Sequence, residues 1–239
     1  MEIILIALLT FVASTVGTLA GFGISTIMVP TLLFFFPFSV VLIVVGIIHW
    51  FGNLWRIIIF RKGFRLRLTL LFGIPGMAAA VVGAFFVSRV SDTLLSQILG
   101  GILLFYVLFL LMKPTFTLSK KPISSIAAGT LSGFFSGIFG IGGVLRSMFL
   151  SAYNLPKSVF IATAGAVSVL VDSSRLPVYF LNGNTVPEEL FFGLLLFIFA
   201  SFLGVEAAKF FVHKIPEKRF RAVILCFLFF AGIKLLFFS

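Results

Sequence analysis

Apolar runs of about 20 residues follow one another along almost the whole chain, with only short polar breaks between them. That is the length a helix needs to cross the hydrocarbon core of a bilayer. A transmembrane barrel would show period-two alternation, whereas the hydrophobicity here comes in blocks. The 239 residues are 61% hydrophobic and 10% charged, against about 25% charged for a soluble domain. Lipid is therefore the expected solvent, and the expected fold is an all-α polytopic membrane protein.

Other classes recede on the same ground. The opening stretch MEIILIALLTFVAST carries Glu2 in place of a basic start, so it reads as a first buried helix rather than a signal peptide. Cys226 is the sole cysteine and His49 and His213 the sole histidines, which argues against a metal cluster; no cofactor is expected. The net charge of +11 sits in short loops, where the positive-inside rule accounts for it better than nucleic-acid binding does. Without a Walker A motif, direct use of ATP has no support.

The polar segment Met112–Pro122 divides the chain, and the order of blocks then repeats. A shift of 119 positions places Gly21 on Gly140, Gly23 on Gly142, Pro37 on Pro156 and Gly46 on Gly165. It also places Arg56 on Arg175, and Asn53 on its near-isostere Asp172. Residues 1–112 are read as a first repeat, 113–122 as a cytoplasmic linker and 123–239 as a second repeat, all within one membrane domain.

Charge sets the orientation. Arg61–Arg67 holds four bases and is placed inside; its counterpart Asn182–Glu189 has no base and two acids and is placed outside. Corresponding loops on opposite faces imply inverted repeats, each made of a Gly-broken hairpin of half-helices plus three spanning helices. Both termini then fall outside a cell membrane.

The glycines and arginines carry the chemistry. Irregular backbone is tolerated at membrane depth only where protein or a water-filled cavity surrounds it. Turns at Gly21 and Gly23, and at Gly140, Gly142 and Gly143, would each start a half-helix whose free amides and positive dipole end favour an anion. Close packing is the plainer use of such glycines. Arg56 and Arg175 are charges within spanning segments, able to grip oxyanion oxygens from two sides. Arg56 could instead snorkel, and Arg175 could pair with Asp172 three residues earlier. Arg146 follows the second turn and either adds positive potential or reaches an interface. Asn53, Ser136 and Ser168 are candidate neutral donors. Asp172 and Glu206 are the intramembrane acids that proton coupling would need, although Glu206 can pair with Lys209. His49, beside aromatic residues, is expected to pack.

GFGISTIMVPTL and GFFSGIFGIGGVLRSMFL, the Pro-x-Ser-Val at Pro37 and Pro156, and Tyr179 with Gly183 resemble the sulfite exporter TauE/SafE family of membrane permeases. The resemblance covers nearly the whole chain. It implies export of sulfur-containing anions such as sulfite and sulfoacetate, with the glycine turns as anion cradle. Three departures stand out: fewer glycines in the first turn, Phe149 where a proline is expected, and Arg146 itself. The expected function is secondary transport of a small anion by alternating access around a midplane site. The same features could serve an anion channel. An intramembrane enzyme is the weakest alternative, because Ser136 has no base at membrane depth. The coupling ion (proton or sodium), the direction and any homo-oligomer stay open.

Overall fold

In a medium that offers no hydrogen bonds, a backbone must satisfy itself, and the apolar blocks do so as helices. The computed structural model describes residues 2–61, 63–112, 121–212 and 217–238; most of the 113–122 linker, and His213, lie outside them. No strand occurs among the described residues.

Five elements run through the first half: α1 (Glu2–Leu19), α2 (Ser25–Leu32), α3 (Phe38–Ile59), α4 (Leu66–Val87) and α5 (Asp92–Met112). The second half follows with α6 (Pro122–Phe139), α7 (Gly143–Ser151), α8 (Lys157–Leu181), the one-turn α9 (Glu188–Phe191), α10 (Leu194–Phe211) and α11 (Glu217–Phe237). Seven of these, α1, α3, α4, α5, α6, α8 and α10, are long and apolar enough to cross a membrane. Large apolar side chains such as Ile4, Phe105, Phe192 and Leu195 face outward, as lipid contact requires.

The hairpins differ from two equal half-helices. Their first arms, α1 and α6, are 18 residues each, and their second arms, α2 and α7, are 8 and 9. At 1.5 Å per residue the first arms reach about 27 Å. Each first arm is long because it has a full-length partner in the other half. α1 lies along α10 in parallel, Ile3 beside Gly193 and Thr15 Oγ1 donating to the Gly204 carbonyl at 3.1 Å. α6 lies along α4 in the same sense, with Gly129, Gly133 and Gly137 stepping past Phe72, Gly76 and Ala80. On this seam a Cβ at Gly133 would overlap the Gly76 carbonyl, so the two backbones touch.

The long helices α3 and α8 cross antiparallel at the centre. Gly46 faces Leu176 and Arg175; at the other end Gly165 faces Asn53 and Arg56. Trp50 Nε1 donates to Ser173 Oγ at 2.8 Å between them. α5 and α11 form a third cross-half pair, Gly100 lying against Gly232 and Leu236. An apolar cavity of about 380 Å³ opens between α5, α6 and α7, walled by residues such as Leu103, Phe135 and Val144. Such walls offer an anion no partner.

Candidate functional site

Both hairpins break at glycine. In the first, Gly21 and Gly23 take φ of 77° and 96° between α1 and α2, a region that side chains with a Cβ rarely enter. In the second, Gly140 (φ 72°) caps α6, its amide bonding to the Ser136 carbonyl at 2.9 Å. Gly142, with φ of −107°, leads into α7. The breaks meet: Ser147 Oγ donates to the Gly21 carbonyl, and a Cβ at Gly143 would strike the Phe22 carbonyl. A Cβ at Gly142 would strike Ser136 Oγ. The opening amides of α2 and α7 have no acceptor one turn back in their own helices, so two positive helix ends begin beside one contact.

Around it lie five buried ionisable side chains, each 1–3% exposed: His49, Arg56, Arg146, Asp172 and Arg175. Asp172 is doubly held. Its Oδ1 accepts from Arg175 Nε at 2.8 Å and its Oδ2 lies 2.6 Å from His49 Nδ1. Arg175 Nη1 donates onward to the Ser136 carbonyl and to Tyr179 Oη, both at 3.1 Å. Tyr179 Oη in turn donates to the Gly137 carbonyl at 2.5 Å. This chain fastens α3, α6 and α8 together at the end of the second hairpin's first arm.

The other two arginines have no carboxylate among the described residues. Arg56 Nε donates to Thr18 Oγ1 at 2.8 Å and its Nη1 to Asn53 Oδ1 at 3.2 Å. Arg146 Nη1 donates to Ser168 Oγ and, at 3.3 Å, to the Ala164 carbonyl. Arg56 Nη2, Arg146 Nε, His49 Nε2 and Ser25 Oγ are buried without a partner among the described residues. Three cations thus stand against one carboxylate, where an uncompensated buried charge costs several kcal/mol. Such a cluster carries an excess of positive charge that a bound anion would offset.

The model of the family described as sulfite exporter TauE/SafE matches residues 6–235. The chain belongs to that family. No curated protein and no solved structure gives a match. TauE/SafE proteins are membrane transporters and not enzymes, so this is a multi-pass transport protein that handles a small anionic substrate within the bilayer.

Within this TauE/SafE chain the anticipated arginines differ in their partners. Arg56, Arg146 and the glycine breaks surround one region, while Arg175 and Asp172 form the ion pair that their spacing of three allows. Asn53 orients Arg56 and donates through Nδ2 to the His49 carbonyl at 2.7 Å. Ser136 contributes its carbonyl rather than a free hydroxyl to the Arg175 hub. Glu206 meets Lys209 at 3.6 Å on a part-exposed face, away from the cluster. His49 departs from the packing role expected of it: it is a hydrogen-bond partner of Asp172. The partner, Asp172, is 123 residues away in the chain, so no local sequence signal joins the two.

Proposed function

We propose that this protein is a secondary transporter of the cell membrane that carries a sulfur oxyanion or organosulfonate, sulfite and sulfoacetate being the type. Two inverted repeats, residues 1–112 and 123–239, would rock about the meeting point of the hairpin breaks. The anion would sit among Arg56, Arg146 and the first amides of α2 and α7. The breaks' glycines would admit it to the backbone, and Arg175 with Asp172 would hold the scaffold. Family membership supports the substrate class. The carrying observation is the pair of buried guanidiniums, Arg56 and Arg146, with donors left over and no ion pair to an acid among the described residues.

The repeat reading draws support from the pairing of helices: α1 with α10 mirrors α6 with α4, and the corresponding helices α3 and α8 run antiparallel. Chain ends agree. Asp92 Oδ2 accepts from the Phe38 amide at 2.9 Å, and Lys157, the counterpart of Phe38, donates to the Val212 carbonyl at 2.8 Å.

Counterflow in proteoliposomes tests the proposal. Internal unlabelled sulfite should accelerate uptake of labelled sulfite, and Arg56→Ala should abolish the acceleration. Flux indifferent to internal substrate would instead indicate a channel.

A further inference from the structure

His49 is the buried titratable group to which the anion site has so far given no task. One of its nitrogens is accounted for: Nδ1 lies 2.6 Å from Asp172 Oδ2. Asp172 already accepts from Arg175 through its other oxygen, so it is an ionised acceptor and Nδ1 is the donor. The neutral ring therefore keeps its proton on Nδ1 and a lone pair on Nε2. Nε2 has no partner among the described residues. It looks onto the first break, since a Cβ on Gly23 would lie 3.1 Å away. Ser25 Oγ, in the first turn of α2, is also unpartnered.

An anion seated at this break meets repulsion from the Nε2 lone pair. Adding a proton to Nε2 turns that repulsion into a charge-assisted hydrogen bond. Among the described residues, the charged groups that face the ring are Asp172 and Arg175 from α8 and Arg146 from α7. An arriving anion adds negative charge beside the ring and so favours its protonated form.

We infer that His49 is the proton-binding residue of this transporter: its Nε2 takes up one proton as the anion binds, and anion and proton occupy the site together. This rests on the anion-site reading above and selects the proton over sodium. Sodium needs several oxygen ligands, and the lone carboxylate here is already shared by His49 and Arg175 among three arginines. Asp172 is a poor carrier because protonating it would release both partners, and Glu206 is outside the cluster. The step makes one N–H bond at Nε2 and breaks one O–H bond of the hydronium ion that delivers the proton, which leaves as water; no oxidation state changes.

Calorimetric titration of the purified full chain with sulfoacetate, repeated in buffers of different ionisation enthalpy, reads proton uptake directly. Sulfoacetate keeps its charge between about pH 6 and pH 8.5, away from its own acid range. Uptake should approach about one proton per anion above the ordinary histidine range near ~6.5. Affinity should then fall by up to about tenfold for each unit rise in pH. His49→Gln keeps a donor for Asp172, and should bind sulfoacetate with pH-independent affinity and no proton uptake. Binding by the unmodified chain without proton uptake overturns the inference and leaves the anion site standing; so does undiminished uptake in His49→Gln. Failure of sulfoacetate and of sulfite to bind at any pH takes down the anion site, and this inference with it.

Discussion

Three arginines that look alike in the sequence do different work once their partners are known. Arg175 is tied through Nε and Nη1 to Asp172, Ser136 and Tyr179; Arg56 and Arg146 keep unpartnered nitrogens. Arg56→Ala and Arg146→Ala should each weaken sulfite binding by about tenfold or more, the worth of one or two charge-assisted hydrogen bonds. Neither should lower the melting temperature, because each removes a buried charge that makes no ion pair among the described residues. Asp172→Ala should behave oppositely, destabilising the fold by about 3–5 kcal/mol by leaving Arg175 without its counter-charge; thermal unfolding in detergent separates the two patterns. The arginines were legible because a charge is rare in an apolar block, and Asp172–Arg175 because i,i+3 neighbours share a helix face. The Asp172–His49 bond was not legible: its partners stand 123 residues apart, and no local rule joins them.

Among the elements, the two glycine breaks were readable from composition, and the unequal arms were not. An apolar block of about 35 residues fixes how much chain must turn within the membrane, but not where. The position is decided by the parallel seams α1–α10 and α4–α6, which demand long first arms. Glycine serves two purposes here. Gly21, Gly23 and Gly140 turn the chain, whereas Gly129, Gly133 and Gly137 bring α6 onto the α4 backbone. Gly133→Ala must push the Gly76 carbonyl aside, and is expected to lower stability by about 1–3 kcal/mol, a typical loss for overpacking. Gly63→Ala is its control: that glycine has open space around it but φ of 86°, so only modest backbone strain should register. Thermal melts of both variants check the contrast.

For the whole molecule, the central matter is how the halves interlock. Their principal contacts cross between halves, so neither half buries its own helices alone. An inverted arrangement puts residue 65 on the cytoplasmic face and residue 184 outside. With the exposed Cys226 replaced by serine, Asn184→Cys should react with a membrane-impermeant maleimide applied from outside, and Arg65→Cys should not. Labelling in the reverse order would turn the molecule over; equal labelling would end the inverted repeat.

The amino-acid sequence alone determined the solvent, the helical class, the glycine breaks and the presence of buried cations, because each depends on local composition and on spacing within one helix. Tertiary structure decided which arginine is a strut and which keeps free donors, and it decided that His49 meets Asp172. Those outcomes depend on the crossing of α3 and α8, where close approach at Gly46 and Gly165 sets side chains from opposite halves in one buried interior. Which charge finds a partner there is a matter of distance in space.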